Sequence, residues 1–187
     1  MENITVFTLL ERLSNLLRNE MRKEGSVYGL QPIQLEALHY LSSCNRYSNT
    51  PKGVTEYLGQ TKGTVSQSLK ILEQKGFIIK VADLDDKRIT HLHVTKGGEK
   101  ILADVIPPKV FSQISKVLAK EKEDDIALNL STLLRSLQNV NKMKSFGVCN
   151  SCKHFVKNTK ESFFCNLTKE ELSRDETLLI CIEHELP

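Results

Sequence analysis

Four of the chain's five cysteines, Cys149, Cys152, Cys165 and Cys181, fall within residues 149–187, in the order Cys-x2-Cys, twelve residues, Cys, fifteen residues, Cys-x2-His. A Cys-x2-Cys turn lets two thiolates grip one ion from a single loop, and two later ligands close a tetrahedron. The segment therefore reads as a metal site before it reads as a pair of disulfides. Zinc is the first expectation, with His184, or else His154, able to replace one thiolate. An iron–sulfur cluster fits the same four thiolates, and reversible disulfides are the third reading. So short a segment buries little core of its own, so a structural ion is a reasonable source of its folding free energy. Phe146, Phe155, Phe163 and Phe164 are expected to pack around it. A closed four-thiolate site leaves no coordination position for a substrate, and the chain has neither a glycine-rich phosphate loop nor a nucleophile-elbow pattern, which argues against an enzyme.

A second group of residues offers hydrogen-bond and charge chemistry. Residues 61–70 set Val65 and Leu69 on one helical face and Lys62, Thr64, Ser66, Gln67 and Lys70 on the other. Short polar side chains opposite an apolar docking face are what a helix needs to enter a DNA major groove and meet phosphates and base edges. Any amphipathic surface helix has this pattern. The stretch after Gly76 is more specific: two β-prone runs flank the turn ADLDDKR, which puts Asp86, Lys87 and Arg88 at a projecting tip. An arginine there can enter the strongly negative minor groove while a neighbouring aspartate holds its guanidinium in one pose. The charge distribution agrees with a polyanionic partner. The net charge is +3, and residues 1–148 carry 21 Lys and Arg against 16 Asp and Glu, while residues 149–187 carry 5 against 7.

The elements that would position these residues can be read from apolar spacing. Residues 4–23 place Leu9, Leu10, Leu13, Leu16, Leu17 and Met21 on one stripe of a long helix, with a break expected at Gly25–Gly29. Pro32 suits the first turn of a second helix that buries Leu35, Leu38 and Leu41. Residues 45–51 read as a polar loop, residues 52–59 as a short helix, and residues 61–76 as a helix capped by Thr61 and ended by Gly76. A hairpin comes next, and Thr95 caps a further helix that Pro107-Pro108 must kink or interrupt. Lys120–Asp125 reads as the corner into a last long helix carrying Ile126, Leu130, Leu133, Leu134 and Leu137.

The fold class expected is mainly α with a small β-hairpin wing: a winged helix-turn-helix (about 52–76, wing about 77–94) flanked by helices within residues 1–145, and a Cys-rich module at 146–187. The run VTEYLGQTKGTVSQSLKILEQKGFI, the wing DLDDKR and the junction VTKGGE resemble the MarR family of bacterial regulators over roughly residues 5–142. The resemblance implies a triangular homodimer, held by the terminal helices, that binds pseudo-palindromic double-stranded DNA with one recognition helix per half-site. It also suggests a small-molecule or redox effector; some MarR-like regulators carry a similar Cys-rich tail. This chain has Leu84 where the family often has proline in the wing. The leucine stripes of residues 9–21 and 126–137 exceed what the domain needs for its own core, as an interface would.

Cys44, near the polar loop, is read as a small buried hydrophobe or a redox thiol. His91 and His93 share a strand face, and without a third ligand nearby they read as a solvated wing face or a phosphate contact. A winged helix can also bind proteins, but Lys62, Lys70, Lys87 and Arg88 on the two reading elements favour DNA. With no spanning run or leader-like segment in view, a cytoplasmic regulator without membrane contact is expected.

Overall fold

The computed structural model describes residues 5–114, 116–159 and 161–187. Helix α1 spans Val6–Ser26, capped by the Thr5 hydroxyl, which accepts from the Thr8 amide at 3.2 Å. Its predicted start at Ile4 lies outside the described residues. The helix runs through Gly25 and ends at Ser26, within the break expected at Gly25–Gly29. A Cβ there would lie 2.5 Å from the Leu35 side chain, so Gly25 lets α1 approach its neighbour closely. The chain turns only at Gly29, with φ at +63°. Helix α2 (Pro32–Ser43) has proline in its first turn and buries Leu35, Leu38 and Leu41 as expected.

Helices α3 (Pro51–Leu58) and α4 (Lys62–Gln74) form the helix-turn-helix. Each is capped by the threonine before it: Thr50 accepts from Gly53 and Thr61 from Thr64. Gly59 closes α3 in the left-handed region at φ +60°. Strands β1 (Ile78–Ala82) and β2 (Thr90–Val94) pair antiparallel, from Ile78 opposite Val94 to Ala82 opposite Thr90. Helix α5 (Lys96–Val105), capped by Thr95, completes the core. That core gathers Leu35, Leu38, Val54, Leu69, Leu72, Ile78, Leu92 and Ile101, and it fixes both α4 and the root of the wing.

Pro107-Pro108 interrupts rather than kinks, separating α5 from the short helix α6 (Lys109–Ile114). Helix α7 (Lys120–Val140) begins where a corner was predicted. The charged stretch after Lys120 is its first turn, and Glu121 and Glu123 there stabilise the positive end of the helix dipole. None of the residues of α7 is buried, and in α1 only Gly25 is. Leu9, Leu13 and Leu16 of α1 and Ile126, Leu130, Leu134 and Leu137 of α7 are all exposed. No helix among the described residues is long and apolar enough to cross a membrane.

The C-terminal segment has a tight turn at Cys149–Ser151 and a three-stranded antiparallel meander, β3 (Phe155–Lys157), β4 (Phe163–Cys165) and β5 (Glu170–Leu172). It docks on the helical part. Ile180 bridges to Cys44 on one side and Val148 on the other. The Ile180 amide donates to the Ser43 carbonyl at 2.9 Å, and the Asn45 amide donates to the Ile180 carbonyl at 2.9 Å.

Candidate nucleic-acid interface and cysteine pocket

Helix α4 buries Val65, Ser68, Leu69 and Leu72, so its other face must be the outer one. Lys62, Thr64, Ser66, Gln67 and Lys70 are all exposed there. Beside them stands the wing. Arg88 is 90% exposed yet held: its Nε donates to Asp86 Oδ1 at 2.9 Å and its Nη2 to Oδ2 at 2.7 Å, while its own amide donates to Oδ1 at 3.0 Å. The Arg88 side chain and amide keep the Asp86 carboxyl below the usual range. A guanidinium presented in one orientation into solvent has lost much of its rotamer entropy before any partner arrives. Lys87 is exposed next to it. The wing's own turn is tied by Asp83, whose Oδ1 accepts from the amides of Asp85 (2.9 Å) and Asp86 (2.7 Å). A polar-faced helix and an oriented arginine on a neighbouring hairpin make a surface for one groove and its flank.

Residues 28–89, from the end of α1 to the wing, match the model of the MarR family. This segment has the winged-helix fold. Over longer stretches the chain is similar to the transcriptional regulator MhqR of Bacillus subtilis, 22% identical over 134 residues, covering 72% of this chain and 90% of that protein. It is also similar to the transcriptional repressor MprA of Escherichia coli, 27% identical over 122 residues, covering 64% and 68%. Among solved structures, Staphylococcus aureus MepR in its DNA-binding conformation shares the fold at TM-score 0.62 and 24% identity, over 72% of this chain and 99% of that one. A MarR regulator from Methanosarcina mazei does so at TM-score 0.61 and 18% identity, over 72% and 97%. The solved chains are matched almost end to end, so over a quarter of this chain lies outside the likeness. Both curated relatives are named as regulators of transcription.

Next to the winged helix, Cys149, Cys152, Cys165 and Cys181 line one cavity of about 30 Å3, together with Asn45, Phe155, Leu172 and His154. That volume is of the size that holds a single water or ion. All four cysteines are free thiols. The Cys149 and Cys181 thiols interact, which holds Cys181 below the ordinary thiol range and, with burial, pushes Cys149 above it. Asn45 Nδ2 donates to Cys149 Sγ at 3.3 Å, and the Glu185 amide donates to Cys152 Sγ at 3.5 Å. Among the described residues, however, no group of three or more His, Cys, Asp or Glu side chains is arranged as a finished ligand set. Sharing one ion would require the thiols around this cavity to draw inward.

Several expectations need correction. His184 does not line the cavity: its Nδ1 meets the Ser145 hydroxyl at 2.6 Å and its Nε2 the Ser151 hydroxyl at 3.0 Å, so both ring nitrogens are engaged. Gly147 packs on that ring so closely that a Cβ would lie 2.5 Å from it. Phe155 and Phe163 do stack beside the cysteines, 5.9 Å apart. Phe164 comes after Phe163 on a strand and so points to the opposite face. Phe146 meets Tyr40 and Tyr57 edge-on instead, at 6.3 and 5.2 Å. Cys44 is buried, and burial pushes its thiol up to about 12, so it behaves as a small hydrophobe. His91 is no solvated face: its Nδ1 meets Asn49 Oδ1 at 2.6 Å and its Nε2 meets Asp83 Oδ2 at 2.9 Å.

Sequence reasoning placed the α2–α3 loop but not its burial. Asn45, Ser48 and Asn49 are only 2%, 0% and 7% exposed, in a run that reads as a solvated loop. Arg46 clamps the tail, pairing with Glu170 at 2.7 Å and with Glu176. A buried polar group must find partners: Asn45 and Ser48 find theirs more than a hundred residues away and Asn49 finds its own in the wing, which no local pattern records.

Proposed function

We propose that the protein is a sequence-specific regulator of transcription, a repressor, that binds double-stranded DNA as a homodimer. The observation that carries this reading is the exposed polar face of α4 beside an Arg88 already oriented by Asp86. Helix α4 reads base edges through Ser66 and Gln67, Lys62 and Lys70 contact phosphates, and Arg88 enters the minor groove. The homodimer is inferred from α1 and α7, two helices of 21 residues each whose leucines are exposed or only half-buried within one chain. Similarity to a protein named as a repressor, MprA, supports the direction of regulation. Such a protein works in the cytoplasm, where the chromosome lies.

The same proposal gives Cys149, Cys152, Cys165 and Cys181 one zinc ion. Its support is the one cavity that all four cysteines line and the two N–H groups aimed at sulfur, the contacts that tune metal-bound thiolates. When bound, zinc supplies a tetrahedral crosslink between the turn, β4 and the segment at Cys181.

The test is selection of a binding duplex from random DNA, then gel shift and light scattering. A single preferred palindromic duplex bound by a species of twice the chain mass is expected. Binding indifferent to sequence, or a monomer at micromolar concentration, refutes the proposal.

A further inference from the structure

The cysteine cavity and the wing tip lie on opposite sides of the α2–α3 loop, and one run of hydrogen bonds joins them. It begins at Cys149 Sγ, which accepts from Asn45 Nδ2 at 3.3 Å. The Asn45 Oδ1 accepts from the Ser48 hydroxyl at 2.6 Å and the Tyr47 amide at 3.2 Å. Ser48 Oγ in turn accepts from the amide of Ile182, the neighbour of Cys181, at 2.8 Å. So two of the four cysteines, far apart in sequence, are tied to the same few loop atoms.

On its other side the loop holds the reading elements. The Ser48 carbonyl accepts from the Tyr40 hydroxyl at 3.0 Å and packs so tightly on α3 that a Cβ at Gly53 would lie 2.1 Å from it. Thr50 caps α3. The Asn49 carbonyl accepts from the Leu92 amide of β2 at 2.7 Å, and Asn49 Oδ1 meets His91 at 2.6 Å. His91 reaches Asp83 at 2.9 Å, and Asp83 shapes the turn that ends in Asp86 and Arg88.

We propose that this run makes the winged helix read the cysteine site: an ion shared by the four thiols fixes Asn45 and Ser48, and through Asn49 and His91 it seats α3 and the wing for DNA. Ligation sets the positions of Cys149 and Cys181. It thereby sets Asn45 Nδ2 and the Ile182 amide. Removing the ion frees the turn and the Cys181 segment, and the loop loses partners that its buried polar atoms have nowhere else to find. A loop so loosened samples several seatings, and only a fraction of molecules present Arg88 and α4 together, so apparent DNA affinity falls by that fraction. The coupling is reciprocal, so bound DNA tightens the hold on the ion. The inference rests on the DNA-binding reading above and assigns its regulation to the supply of a divalent metal.

The experiment uses the full chain under reducing conditions, loaded with one equivalent of zinc, stripped with a chelator, and reloaded. Three quantities are read: zinc per chain, amide hydrogen exchange at Asn45 and Leu92, and affinity for the selected duplex. The expected result is about one zinc per chain, exchange at both amides at least about tenfold slower when loaded, and at least about fivefold tighter DNA binding. In His91→Ala, zinc and the protection of Asn45 and Leu92 persist, because the Leu92 amide bonds the Asn49 carbonyl directly, while DNA affinity stops responding to zinc. Zinc that does not stay bound, or zinc that stays while Leu92 exchange is identical in both forms, overturns the proposal. If Leu92 responds to zinc but no duplex is bound in either form, the coupling stands and the DNA-binding reading falls.

Discussion

Replacing Arg88 by alanine removes one cation per protomer from the wing tip and nothing from the core, because the side chain is 90% exposed and touches only Asp86. Each protein cation that neutralises a DNA phosphate contributes about 0.9 to the slope of log affinity against log salt. Two protomers lose two such contacts, so the slope should become shallower by about 1.8. Between 50 and 200 mM salt that difference amounts to about twelvefold in relative affinity. The assay is fluorescence anisotropy with the selected duplex at four or more salt concentrations. Asp86→Ala is the companion variant: it keeps the Arg88 cation but removes the carboxylate that poses it, so its slope should not become shallower as it does in Arg88→Ala. An Arg88→Ala slope equal to that of the wild type would falsify the placement of Arg88 on the DNA.

Gly53→Ala forces a Cβ to within 2.1 Å of the Ser48 carbonyl, which is backbone and cannot swing away. A loss of about 1–3 kcal/mol in denaturant unfolding is expected, and an unchanged midpoint would show that the loop is free to shift. Leu130→Glu with Leu134→Glu puts two charges on the exposed stripe of α7 and should halve the mass seen by light scattering; a persisting dimer would move the interface elsewhere. Iodoacetamide at pH 8 should leave Cys44 unmodified in the native protein and label it after denaturation, because its thiol is pushed up to about 12; native labelling would contradict that burial. The carboxyls of Asp83 and Asp86 are held low by backbone amides and by Arg88. Their contribution to wing order is present above the ordinary aspartate range and lost as pH falls through their lowered values, so amide signals of residues 83–88 should stay sharp at pH 5 and broaden only in stronger acid.

Much of the fold was legible in the sequence because the signals were local. Thr50, Thr61 and Thr95 cap helices as threonines do, Pro32 opens a first turn, and the alternation around ADLDDKR places a hairpin to within a residue or two. The polar face of α4 can be read from the spacing of Val65 and Leu69 alone. The errors lay where local and tertiary evidence part. The break at Gly25–Gly29 is there, but the close approach of Leu35 that Gly25 allows is not written in the local sequence. The charges after Lys120 suit a loop and a helix start equally. His184 has the spacing of a ligand, yet the serines that engage it are 39 and 33 residues away. The loop at 45–50 looked solvated because its partners lie in the tail.

The Ile182 amide and the Ser48 hydroxyl it donates to are 134 residues apart. Synthesis therefore makes α3, α4 and the wing well before it makes the strand that satisfies the loop beneath them. During that interval Asn45 and Ser48 depend on water, and the reading head of the nascent protein is unfinished. A message cut short, or a protease that nicks the chain anywhere between Gly147 and Ile180, leaves a fragment with every groove-facing residue in place but with its footing incomplete.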